Sequence, residues 1–205
     1  MGCVLRFGKR ICDIVIGLIA LPFVLIIVAI CAPLIYFEDK GPIFYNAPRV
    51  GKGGRDFTMY KLRSMKVNAP DLVMEDGSTY NGADDPRMTR IGAFMRKASI
   101  DEMPQFINVL KGDMSIVGPR PEIPHFVEQF RDEVPLYMIR HMVKPGMTGL
   151  AQVSGYRGDT SIRGRIDCDI AYIENWTIWL DIRIILRTFT SLVNDETLPP
   201  LHREK

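Results

Sequence analysis

The chain has 205 residues, 47% hydrophobic and 24% charged, with a formal net charge of +2. That length holds one sizeable domain, or one domain plus an anchor, and so slight a charge gives no argument for a nucleic-acid partner. Its four cysteines (Cys3, Cys12, Cys31, Cys168) form no C-x-x-C pair and its three histidines no H-E-x-x-H, which argues against a disulfide framework or a zinc site and for reduced thiols in a cytoplasmic setting.

From Ile14 to Phe37 no residue is charged. As a straight helix this run would be roughly 36 Å long, enough to cross a hydrocarbon core of about 30 Å. It is too long for a signal-peptide core and lacks a cleavage site, and Ile30 before Cys31 is not the small residue of a lipoprotein site. Basic residues flank it on both sides (Arg6, Lys9 and Arg10; Lys40, Arg49, Lys52 and Arg55), so charge asymmetry does not orient a spanning helix. Pro22 predicts a kink or break. A helix that enters one leaflet and returns would keep both basic flanks on the cytoplasmic side. On physical grounds spanning and re-entrant anchors stand level, and residues 1–40 form the anchor in either case.

Beyond it, Arg49 to Lys66 carries six basic residues and one acid, a pattern that fits a solvated face or a surface for phosphates or anionic lipid. Residues 43–50 and the alternating "RDFTMYKLRSM" predict a β-hairpin around "GKGGR", a turn too loose to be a phosphate loop. Residues 66–87 read as a long loop without a core. Thr89 is a candidate cap for a short helix with Ile91, Phe94, Met95 and Ala98 on its apolar stripe. In "IDEMPQFINVLKG", Met103, Phe106, Ile107 and Leu110 repeat at helical spacing and Gly112 ends the pattern. Pro104 fits only in the first turn, which places Asp101 or Glu102 at the N-cap. Ser99 and Glu102 fit a capping box. "SIVGPRPEIP" predicts a rigid, non-helical turn around Arg120. Phe126–Arg131 and Tyr137–Met142 predict short helices, and "KPGMTGLAQVSGYRG" a glycine-rich loop or short strand. From Asp167 to Asn194 the pattern is helical and aromatic, suited equally to a core or a membrane surface. Residues 41–194 thus form the second domain, and 195–205 a tail.

Several arginines with paired carboxylates, and no Ser or His nucleophile motif, suggest phosphoryl chemistry. Arginine binds phosphate oxygens in a fork, and a carboxylate can hold Mg²⁺ or attack phosphorus. Taken singly, each residue also suits a cap or a surface ion pair. The residues alone therefore reach a membrane-surface enzyme or binder acting on phosphates.

Read together, "YKLRSM" (60–65), "DDPRMTRIG" (84–92), "SIDEMPQFINVLKGDMSIVGPRPE" (99–122), "KPGMTGLAQVSG" (144–155) and "YIENWTIWLDIRIILRT" (172–188) resemble the bacterial sugar transferases, the monotopic phosphoglycosyl transferases. The resemblance covers residues 6 to 193. It implies an α/β fold, predominantly helical with a small β-hairpin, a re-entrant membrane helix broken near Pro22, and amphipathic membrane-surface helices. It also implies transfer of a sugar-1-phosphate from a UDP-sugar to polyprenyl phosphate with release of UMP, at the cytoplasmic face of the bacterial inner membrane. Asp101 would be the nucleophile and Glu102 the Mg²⁺ ligand. Lys61, Arg63, Arg96, Arg120, Arg157 and Asp169 would serve phosphate, nucleotide or structural roles. Many members place the Arg directly after the "SG" pair, whereas here Tyr156 intervenes. "GYRGDT" resembles the loop of members that use UDP-glucose, which implies hexose-1-phosphate. Expected partners are the phospholipid bilayer, downstream glycosyltransferases and a second copy of the chain. Members with extra transmembrane helices and a regulatory domain are known, and against them this sequence looks like a minimal catalytic unit. A non-catalytic membrane scaffold of a glycan assembly complex is the competing reading.

Overall fold

The computed structural model describes residues 3–70, 85–156 and 160–194. Most of the long loop expected at 66–87, the Arg157 position and the tail lie outside them.

Helix α1 runs from Cys3 to Glu38 as one element through Pro22 and Pro33. The helix does not end at Pro22, which corrects the expected break. A proline removes one N–H, and here the turns on both sides of it are docked. Before it, Gly17 lies against Leu110; after it, Ile27 and Val28 pack on a cluster of Cys31, Ile35, Leu62 and Met95. The docked positions recur every three or four residues and so make one face of the helix. The opposite face leaves Ile11, Leu18, Phe23, Ile26 and Ile30 exposed. This is the one helix among the described residues long and apolar enough to cross a membrane.

Both ends of α1 are tied to the same domain. Near its start, Lys9 Nζ donates to Asp181 Oδ2 at 2.6 Å, and Asp13 Oδ1 accepts from Ser115 Oγ and the Ile116 N–H, each at 2.9 Å. At its end, the Glu38 carboxylate accepts the backbone N–H groups of Arg90 (2.6 Å) and Ile91 (3.1 Å).

The hairpin forms as expected. Strand β1 (Phe44–Val50) pairs antiparallel with β2 (Asp56–Leu62), Phe44 opposite Leu62 and Val50 opposite Asp56. Gly53 (φ 71°) and Gly54 (φ 73°) in the connecting turn occupy the left-handed region that a side chain disfavours. Thr89 caps helix α2 (Arg90–Lys97), its Oγ1 accepting the Gly92 N–H at 2.9 Å. Met95 of the expected stripe is buried, but Phe94 faces outward. Gly92 lets α2 lie directly on the backbone of Ser64, where a Cβ would collide with the Ser64 carbonyl. Gly92→Ala is therefore expected to cost about 2 kcal/mol or more, read as a lowered melting temperature.

The "IDEMPQ" segment departs from expectation. Residues Ile100–Glu102 form a single 3-10 turn and helix α3 spans only Gln105–Lys111, with Pro104 itself at the N-cap. Neither acid is the cap. Ser99 cannot close a capping box, because it sits at φ 55° with its side chain making no cap bond. Gly112 ends α3 at φ 95°. The most buried face of α3 is Gln105, Asn108 and Val109 rather than the predicted apolar stripe. Asn108 explains the difference: its Oδ1 accepts the Tyr60 N–H (3.0 Å) and its Nδ2 donates to the Thr58 carbonyl (2.7 Å), so α3 is bonded onto β2 while Leu110 meets α1.

Strand β3 (Ser115–Val117) pairs in parallel with β4 (Gly146–Thr148). The 115–124 turn therefore begins on a strand that its glycine and prolines concealed. Helices α4 (Pro124–Glu133), α5 (Leu150–Val153), α6 (Ile162–Glu174) and α7 (Ile178–Asn194) follow, with a 3-10 segment at Tyr137–Met142 between α4 and β4. The single helical stretch expected from Asp167 is two helices. Thr177 Oγ1 accepts the Leu180 N–H at 3.1 Å and restarts the chain as α7. The main core joins Met59, Val109, Met114, Val117, Leu150 and Ile184, each such side chain stabilising the fold by about 1.5–3 kcal/mol on burial. The outer face of α7 carries Trp179, Ile182, Leu186 and Phe189, apolar residues at helical spacing left exposed.

Candidate active site

Three elements converge on the acidic pair. The 3-10 turn carries Asp101 and Glu102, β2 carries Lys61, and the turn after β3 carries Arg120. Glu102 Oε1 accepts from Lys61 Nζ (2.7 Å) and Arg120 Nη2 (2.8 Å), and Oε2 from Arg120 Nη1 (3.4 Å). Burial alone would raise the Glu102 pKa, but the Arg120 guanidinium and Lys61 outweigh it and hold the carboxyl well below its usual range. In return, Glu102 keeps Arg120 firmly protonated.

Asp101 is the opposite case. It is 6% exposed, and among the described residues no hydrogen bond or ion pair meets its carboxylate. Burial raises its pKa; Lys61 opposes this, Glu102 adds to it, and Arg96 opposes it again. The adjacent acids are thus unlike: one is clamped by two cations, the other is desolvated and uncommitted. Arg96 is held on the near side by a 3.1 Å bond from its Nε to Ser64 Oγ. An isolated desolvated carboxylate beside fixed cations is suited to attack an electrophile whose leaving charge those cations can take up.

A family model described as bacterial sugar transferase matches residues 4–195. The chain belongs to the bacterial sugar transferase family. It is 46% identical over 189 residues to a UDP-N-acetylgalactosamine-undecaprenyl-phosphate N-acetylgalactosaminephosphotransferase of Aeromonas hydrophila, covering 91% of this chain and 44% of the relative. It is 42% identical to a UDP-glucose:undecaprenyl-phosphate glucose-1-phosphate transferase of Escherichia coli, covering 92% and 41%. A protein of the same description from Caulobacter vibrioides is 39% identical, covering 92% and 70%. The chain thus spans less than half the length of the first two relatives.

The site residues expected for this member of the family separate into two groups. Lys61, Arg96 and Arg120 gather around Asp101 and Glu102. Arg63 does not: it is 6% exposed and donates to Asp39 Oδ2 (2.8 Å) and to the carbonyls of Pro42 (2.6 Å) and Asp39 (2.9 Å), clamping the end of α1 to β2. Asp169 is 1% exposed, its Oδ2 lying 3.0 Å from Arg140 Nη2. Arg157 lies outside the described residues.

Sequence reasoning missed Arg140, and with it Glu122, which accepts from Arg165 Nη1 at 3.2 Å. Glu122 closes the quoted "GPRPE" motif, a signal that was available. Nothing in spacing announces that Arg140 meets a residue on α6.

Burial raises the Asp169 pKa to about 6, with Arg140 and Arg165 opposing it. A carboxyl whose folded pKa is raised contributes stability that is full below its unfolded value and is lost as pH rises through the folded one. Relative to Asp169→Asn, the wild type is expected to gain about 3 kcal/mol as pH falls from 7 to below 4, measured as the difference between their melting temperatures across that range.

Proposed function

We propose that the chain transfers a sugar-1-phosphate, hexose-1-phosphate by preference, from a UDP-sugar to polyprenyl phosphate and releases UMP. The observation that carries this reading is the unlike pair: an uncommitted buried Asp101 beside a Glu102 locked to Arg120 and Lys61. In the first step an Asp101 carboxylate oxygen bonds to the sugar-bearing phosphorus as the bond to the UMP phosphate oxygen breaks. UMP departs with the electron pair, leaving the sugar-phosphate on Asp101. A phosphate oxygen of polyprenyl phosphate then bonds to the same phosphorus, the bond to Asp101 breaks, and the carboxylate is restored. Lys61, Arg96 and Arg120 are the cations placed to take up phosphate charge. The names of the Escherichia coli and Caulobacter relatives support a hexose donor.

Among the described residues, no three His, Cys, Asp or Glu side chains gather as a metal cage. Mg²⁺ needs fewer, since it keeps water and shares substrate phosphates with one or two carboxylates. Asp101, with open lone pairs, fits that requirement. Glu102, the ligand expected from the resemblance, would have to yield part of its fork with Arg120. When bound, the cation would supply charge to the diphosphate.

We place the apolar face of α1 and the outer face of α7 in the cytoplasmic leaflet of the inner membrane. A spanning α1 would put Lys9 and Glu38 on opposite sides of the bilayer, yet both bond to the one domain, and this supports a re-entrant form made by bending one continuous helix rather than by breaking it at Pro22. Downstream glycosyltransferases and a second copy of the chain are included as partners on the resemblance alone.

A panel of UDP-sugars assayed for UMP release, with and without polyprenyl phosphate and Mg²⁺, tests the reading. Release with a UDP-hexose, sustained only when the acceptor is present, is the expected result; no release with any donor would overturn it.

A further inference from the structure

Arg120 stands between Pro119 and Pro121, so its turn lacks two N–H groups and must be held through its carbonyls. Two are met by backbone: Pro119 O accepts from the Gly146 N–H (2.8 Å) and Glu122 O from the Val50 N–H (3.0 Å). The carbonyl of Arg120 is met by a side chain, Arg140 Nη2 at 2.8 Å. Arg140 is 3% exposed. It lies beneath the turn, with its Nη1 donating to Tyr137 Oη at 3.2 Å, its guanidinium 5.3 Å from the Tyr137 ring centre, and Asp169 beside it.

From this arrangement we infer that Arg140, oriented by Asp169, is a positioning residue that fixes the Arg120 turn so that the Arg120 guanidinium meets Glu102. The chain of contacts runs from α6 through the 3-10 segment to the turn after β3, each link a charged or bidentate group that tolerates little displacement. A buried ion pair is weak evidence of stabilisation, because a well-packed apolar pair often does as well. The inference accounts for the pair by the second contact of the same Nη2, which faces Asp169 and donates to the Arg120 carbonyl.

The inference rests on the proposed transfer for its kinetic readout and on a second readout that does not need it. The double variant Arg140→Met/Asp169→Leu removes both charges together, leaves none unpaired, and is expected to melt near the wild type. Its kcat for UMP release should fall by about 10-fold or more, with a smaller change in KM for the UDP-sugar. The same pair of changes made on an Arg120→Lys background should cost less than about 2-fold, since residues acting as one unit are not additive. In the full chain, the Arg120 Nη signals by ¹⁵N NMR, resolved while the fork to Glu102 restricts rotation, should average in the double variant. Arg140 spreads three contacts over two nitrogens, Nη2 to Asp169 and the Arg120 carbonyl and Nη1 to Tyr137 Oη, whereas Lys has one nitrogen for all three, so Arg140→Lys should fold and still lower kcat.

Wild-type kcat and resolved Arg120 signals in either variant would overturn the inference, as would an equal loss on both backgrounds. Were the wild type to release no UMP, the transfer reading would fail and the Nη signals would still decide the role of Arg140.

Discussion

Asp101→Asn is expected to lower UMP release by on the order of 10³-fold or more, the scale seen when a covalent nucleophile is removed. The same variant should melt at or above the wild-type temperature. Asn matches Asp in shape, and among the described residues the buried carboxylate it replaces has no hydrogen-bond or ion-pair partner, so the change relieves a desolvated charge and breaks none of the described bonds. Loss of turnover without loss of fold separates Asp101 from Glu102, whose replacement by Gln would leave Arg120 and Lys61 facing a neutral group. Normal turnover in Asp101→Asn would sink the nucleophile assignment. Turnover lost with no sugar-phosphate trapped on the wild-type protein would favour direct transfer instead.

The second large effect is expected far from the acidic pair. Asp181 is 8% exposed and joins three elements: Oδ2 accepts from Lys9 Nζ (2.6 Å) and Trp176 Nε1 (3.1 Å), and Oδ1 from Tyr172 Oη (2.8 Å). Lys9 also lies 5.9 Å from the Tyr172 ring centre and 5.8 Å from that of Trp176. Asp181→Ala leaves a half-buried ammonium and the Trp176 N–H unmet, while the Tyr172 hydroxyl keeps the Val117 carbonyl at 3.1 Å, a loss of about 3 kcal/mol, or roughly 6–12 °C in melting temperature for a chain this size. The N-terminal end of α1 should come away first, so limited proteolysis should cut before Asp13 in the variant while the wild type resists. A variant that melts and resists cleavage like the wild type would show that the node carries no such weight.

What the sequence made legible was local. The hairpin, the Thr89 cap and the end at Gly112 each depend on residues a few positions apart. Misreadings came where a distant partner outranked local pattern. The periodicity of Met103, Phe106, Ile107 and Leu110 was real, yet Asn108 set the orientation of α3 through bonds to β2 about 50 residues earlier. Thr177 divided what the aromatic spacing had joined, and β3 shows as a strand only once its parallel partner is in place. In the candidate site, residues within quoted motifs were found and their grouping was not: Lys61 and Arg120 reach Glu102, while Arg63 on the same strand segment turns toward α1. A strand's alternation states which residues share a face, but not what lies opposite each face.

The attachment of α1 at both ends also bears on how the protein enters a membrane. Lys9 and Glu38 are fixed to one folded body. Under the proposed placement, no charged segment has to be carried through hydrocarbon, where each Lys or Arg at mid-depth costs about 2.5–3.5 kcal/mol. On that placement, the uncharged run from Ile14 to Phe37 is all that would have to leave water, and it would do so from the cytoplasmic side. The length of chain between the two polar fasteners would then set the depth of the acidic pair relative to the bilayer.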